Sequence, residues 1–225
     1  MQNKIILCII CVFSLLNSCN SDHNTKAAVK QHTDKITSEY ADEIKKLIAT
    51  TKKSKPLRAK PEDQKPVNSK NGKVFEIDKR AFDFINSFLT DDELDEFTTI
   101  FHKPQLKSPG KVLNSIAILE MHLAWVIKDL DSKKDTLDKT STSDLKKIKN
   151  SLEQLFSIRK FFSTNIKQIL LDHQNNKNSI KSEDSKLEEY LGMKLNQFNE
   201  KNKEVRYLKE TILSVPILAK NRGLK

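Results

Sequence analysis

The chain has 225 residues, with 40 Lys+Arg against 30 Asp+Glu, 37% hydrophobic residues, and only 4 Gly and 3 Cys. So few glycines exclude phosphate loops, dinucleotide folds and glycine-rich β-turn architectures, each of which spends several on tight turns or close backbone approach. All three cysteines fall within the first nineteen residues, so the remainder holds neither a disulfide nor a thiolate metal site.

Residues 1–19 read MQNKIILCIICVFSLLNSC. Lys4 precedes an apolar run from Ile5 to Leu16, too short for a stable transmembrane anchor but suited to the h-region of a secretory signal. Leu16-Asn17-Ser18-Cys19 resembles a bacterial lipobox, with Asn17 where a small or aliphatic residue is usual. That laxity resembles spirochaetal lipoproteins. An ordinary cleaved signal with a chance cysteine is the alternative. Residues 1–18 are thus expected to be removed and Cys19 to become a lipidated (palmitate-type) N-terminus, firmly held because several acyl chains insert together.

Residues 19–73 read as a lipidated tether. Between residues 20 and 73 there are 13 basic and 7 acidic side chains, whereas residues 74–225 hold 26 and 23, so most of the excess charge lies here. Lys52–Lys73 sets Pro56, Pro61 and Pro66 among lysines with almost no apolar content, a composition that favours an extended, disordered linker. Tyr40, Ile44, Leu47 and Ile48 share helical spacing and predict a short amphipathic helix over 38–53, marginal unless it docks. With Tyr40 as the only aromatic side chain in this basic stretch, nucleic-acid binding is not expected.

From Val74 the apolar spacing is three and four. A helix over Ile77–Leu89 places Phe82, Ile85, Phe88 and Leu89 on one side. Thr90 and Glu93 make a capping box for a helix to His102, with Leu94, Phe97, Ile100 and Phe101 inward and Pro104 beyond its end. Ser108-Pro109 reads as a cap followed by proline at the first helical position. The helix Pro109–Leu130 is apolar nearly all round, which predicts burial by several neighbours at the centre of the domain. After a polar loop, Leu145, Ile148, Leu152, Leu155, Phe162, Ile166 and Ile169 form a heptad-like stripe interrupted by Arg159. A final helix over Glu183–Ser214 carries Leu187, Tyr190, Leu191, Leu195, Phe198, Val205, Leu208 and Ile212. The fold class is all-α: a bundle of about five helices over 74–225.

No residue set argues for catalysis, a cofactor or a metal, and the chain is not expected to be an enzyme. His23 and His32 lie in the tether, and His102 and His173 end helices, where a cation suits the dipole. His122, three residues before Trp125, reads as a hydrogen-bonded core histidine. The acidic run Asp91, Asp92, Glu93, Asp95 and Glu96 lacks the glycine a calcium loop needs and complements a helix N-terminus instead. No Gly-x-Ser-x-Gly elbow occurs. Val215-Pro216-Ile217-Leu218 and the basic end after it read as a frayed terminus, a strap across the bundle or part of a partner surface; packing on its own domain is preferred.

The lax lipobox LLNSC, the lysine-rich tether, the phenylalanine-rich KRAFDFINSF and the long Lys/Asn/Leu/Ile-rich helices, above all Thr142–His173, resemble outer-surface lipoproteins of Lyme-disease spirochaetes. They are most similar to the helical paralogous family that includes the complement regulator-acquiring surface proteins. The resemblance implies a helical antigen, surface-exposed and lipid-anchored on the outer membrane, and serving in immune evasion as a virulence factor. Its implied partners are a host serum protein such as factor H or terminal complement components, and a second copy in a homodimer. It transfers no binding residue. An adhesive or structural surface lipoprotein without complement activity is the second expectation, and a carrier of a small apolar ligand within the bundle a third.

Overall fold

A computed structural model describes residues 22–53 and 72–217, and the expected signal segment, Cys19, most of the proline–lysine stretch and residues 218–225 lie outside them. The described residues form six α-helices: α1 Asp22–Lys53, α2 Gly72–Asn86, α3 Asp91–Phe101, α4 Ser108–Lys133, α5 Thr142–Gln174 and α6 Asp184–Leu213. No strand occurs among them. The all-α class read from the three-and-four spacing is therefore the observed one.

α4 is the centre. It packs most extensively along α6, then against α2, and touches α1, α3 and α5 as well. Val112, Ile116, Leu119, Val126 and Leu130 are wholly buried, as its nearly continuous apolar circumference requires. Contacts that advance together, Ser108 with Glu188, Ser115 with Asn202 and Trp125 with Lys209, make α4 and α6 parallel. α5 runs antiparallel to α6, pairing Asp172 with Tyr190, Asn165 with Lys194 and Phe162 with Phe198. The last pair stacks at 4.4 Å between ring centroids. The α5–α6 turn uses left-handed backbone at Asn176 and Asn178, and Asn176 Oδ1 accepts the Lys181 N–H at 2.9 Å.

Several local expectations meet particular outcomes. The Thr90 box forms as read: Thr90 Oγ1 accepts the Glu93 N–H at 3.3 Å, and Glu93 Oε2 accepts the Thr90 N–H at 2.8 Å. On α2 the deeply buried phenylalanine is Phe84, while Phe82 and Phe88 are only half-buried beside Ala81 and Ile85. The polar loop after α4 is a 3-10 turn, Lys134–Lys139, that buries Leu137 completely.

Two differences are larger. Helix α1 begins at Asp22 rather than near Ser38, and it is docked: Ala41, Ile44 and Ile48 are buried in the common core, chiefly against α5, with Tyr40 and Leu47 packed at its edge. At the other end, Ser108 does not cap α4. Ser108 lies inside the helix, its N-cap position is Lys107, and the free N–H groups are met from α6. Glu188 accepts the N–H groups of Lys107 and Ser108, each at 3.1 Å, and Ser108 Oγ–H at 2.9 Å. These donors outweigh the desolvation of Glu188 and hold its carboxyl below the usual glutamate range. Past α6, Val215 and Ile217 are buried, so the described part of the C-terminal strip packs on its own domain.

Candidate partner-binding surface

Chemistry in a helical bundle is sought first among its buried polar groups, since each needs a partner. Here the partners are mostly interhelical. Arg159, the interruption in the α5 stripe, donates to Glu120 on α4 through Nε at 2.7 Å and Nη2 at 3.3 Å, and its guanidinium lies 4.6 Å from the Phe84 ring centroid. Burial raises the Glu120 carboxyl above its ordinary value in spite of Arg159. Asp172 accepts Tyr190 O–H and Gln168 Nε2–H, each at 2.8 Å, and Lys177 at 3.3 Å. Desolvation opposes its charge, but the three donors together hold the carboxyl low.

His173 lies in the last turn of α5, as read, but is turned inward. It is 2% exposed, and its Nδ1 pairs with Glu96 of the acidic run. That run divides by function: Asp91, Asp92 and Glu93 sit in the first turn of α3, Glu93 also meets Lys167, and Glu96 crosses to α5. His102 forms the C-cap of α3 and packs against Phe82. His122 is buried as expected, but its Nδ1 has no hydrogen-bond partner among the described residues. Burial first, then Lys209 and Arg206 against the weaker pull of Glu210, depress its pKa. Among the described residues no group of three or more His, Cys, Asp or Glu side chains is placed to hold a metal ion. His23 side-chain contacts and Cys19, the expected lipid attachment residue, fall outside what the structure describes.

Concavity is slight. A cleft of about 280 Å³ opens between α2 and α5, lined by Phe84, Phe88, Phe156, Arg159 and Lys160 with two serines. None of its lining comes from α4, the helix the carrier expectation relies on. The long apolar α4 has the composition of a membrane span, but half of that stretch is buried within the bundle.

The outer surface is more distinctive. Trp125, Leu171, Met193, Tyr207 and Leu213 are large apolar side chains that remain exposed. The apolar circumference read over Pro109–Leu130 implies that Trp125 is covered, yet it is 48% exposed, on the seam where α4 meets the second half of α6. His122 meets its ring edge-on at 5.6 Å, and Lys209 Nζ stands 5.2 Å from its centroid.

The profile of a family described as Borrelia Bbcrasp-1 domain containing protein matches residues 56–216. The chain belongs to this family. A solved relative agrees: the crystal structure of BSE31 from the Lyme disease agent Borrelia spielmanii is 27% identical, with a TM-score of 0.58 over 83% of this chain and 97% of the other. No match exists among curated proteins. The family match begins at residue 56, so it does not include α1, although α1 contributes to the same core. Surface-type localisation in Borrelia follows from membership at the level of the family.

Proposed function

We propose that this family member is a non-enzymatic, lipid-anchored outer-membrane protein that binds a host serum protein, a complement regulator such as factor H or a terminal complement component, in immune evasion. The observation that carries the reading is the Bbcrasp-1 family match over residues 56–216. The lipobox-like Leu16-Asn17-Ser18-Cys19 supports export and anchoring through Cys19. The architecture is compatible with a binding module, in which a rigid helical body presents a face and the ligand supplies the rest.

The test is retention from human serum on immobilised, lipid-free residues 20–225, with mass spectrometry of the bound fraction. Recovery of factor H or a terminal complement component, competed by excess free protein, is expected. Recovery of nothing above a control with the basic segment scrambled refutes the serum-ligand reading and leaves adhesion to tissue or to vector material.

A further inference from the structure

The second half of the α4–α6 seam combines three features. Trp125 is the chain's single tryptophan and stands half out of solvent cover on the most deeply embedded helix. Among the described residues the cations around it lack carboxylate partners. Lys128, one helical turn on, and Arg206 and Lys209 on α6 form no ion pair among the described residues, while Asp129 is taken by Lys133 at 2.8 Å. Glu210 is the acidic group of α6 whose charge reaches His122, where it opposes Lys209 and Arg206. Beneath the indole, His122 is buried with its Nδ1 unpartnered among the described residues. Leu213, one turn beyond Lys209, extends the apolar area.

We propose that this seam is a docking surface for an acidic polypeptide segment of a partner protein, with Trp125 as the apolar anchor and Arg206 and Lys209 receiving the segment's carboxylates. The proposal rests on the partner-binding function above and assigns it a place. Tryptophan and arginine at the rim of a packed seam are the residue types that dominate protein interfaces. A cation over an indole face is positioned to accept a carboxylate without leaving the ring. Charge also decides the class of partner. A sulfated polysaccharide needs a long run of free cations, and here the run is interrupted: Lys201 pairs with Glu204 and Lys203 with Glu200, both at 2.6 Å. A short acidic, partly apolar segment matches two or three cations beside an indole and a leucine. Tyr207 lies half a turn from the seam on α6, and Met193 nearly four turns before it, so each stands singly, as scattered surface apolar residues commonly do.

The indole reports on its own site, because no other tryptophan contributes to the emission. The purified protein is titrated at low and moderate salt with a glutamate–leucine copolymer as the acidic polypeptide probe and heparin as the polysaccharide probe. A saturable blue shift of Trp125 emission with the copolymer, weakened by salt, is expected. The double variant Arg206→Glu/Lys209→Glu, at one exposed and one half-buried position, should keep the far-ultraviolet dichroism of the unmodified protein and lose at least about tenfold in apparent affinity. Lys147→Glu on the exposed side of α5 should bind as the unmodified protein does. No shift with the copolymer, a shift that survives the double variant, or tighter binding of heparin than of the copolymer overturns the proposal. Serum retention separates this proposal from the function. A double variant that still captures its serum ligand at the original level removes the seam as the partner site and leaves the function standing. Unmodified protein that captures nothing refutes the function instead, and the copolymer titration still decides the seam.

Discussion

Arg159→Leu restores the apolar stripe of α5 and, judged by periodicity alone, should stabilise the bundle. The structure requires the opposite. Arg159 is the hydrogen-bonding partner of Glu120, whose side chain is only 17% exposed, and burial already pushes that carboxyl toward its neutral form. Removing the guanidinium leaves a nearly buried carboxylate without its counter-charge, a loss of 3–5 kcal/mol for a fully buried pair, reduced here to about 2–3 kcal/mol because Arg159 is 28% exposed. The contact with Phe84 adds a few tenths, which a leucine largely restores. For a domain of this size the thermal midpoint should fall by roughly 5–10 °C. The double variant Glu120→Leu/Arg159→Leu removes both charges and should return to within about 1 kcal/mol of the unmodified protein. Urea unfolding of the four proteins closes the cycle, with a coupling of about 2 kcal/mol expected. The cost of Arg159→Leu should also shrink as pH falls, because a carboxyl with a raised folded pKa takes up its proton more readily in the native state. A single variant as stable as the unmodified protein, or a double variant worse than the single, would refute the reasoning.

Glu188→Ala should cost about 2 kcal/mol in urea unfolding, since it strips the acceptor from two N–H groups opening α4, whereas Glu188→Gln keeps an oxygen in place and should cost about half as much. Ile44→Ala should lower stability by about 2–4 kcal/mol, with loss of amide protection along α1, if its docking belongs to the same cooperative unit as the bundle. Because the folded pKa of His122 lies below its ordinary value of 6.5, the unfolded chain binds the proton first; stability present above 6.5 should be lost as pH falls toward the folded value, and His122→Phe should flatten that part of the profile. A pH profile for His122→Phe that parallels the original would discard the burial argument.

What the sequence revealed followed the range of the interactions. The Thr90–Glu93 box was readable because both partners lie within one turn, and the α4, α5 and α6 stripes because helical period alone sorts apolar from polar. Ser108 was misread as a cap because its N–H acceptor, Glu188, is supplied by a helix eighty residues later, which no local pattern encodes. Trp125 was misplaced for a related reason: on a helix apolar nearly all round, period cannot distinguish the strip that neighbours leave uncovered. The docking of α1 depended on a partner surface on α5, so four apolar positions in a lysine-rich stretch gave only a conditional helix. His173 and Glu96 each had an adequate local explanation, which concealed the pair they make across α3 and α5.

The early start of α1 changes how the body would move on a membrane. With a lipid on Cys19 as proposed, only two residues separate the anchor from Asp22, where α1 begins. Thr37 on α1 meets Thr142 on α5 through a hydroxyl contact at 2.6 Å, and it lies roughly 20 Å along the helix from Asp22 at about 1.5 Å per residue. A leash lets its load tumble in every direction, whereas a helical lever hands the tilt at its foot to the mass it carries. The faces of the bundle would then be offered to the medium at a restricted set of angles, with the pivot at the lipid rather than along the chain.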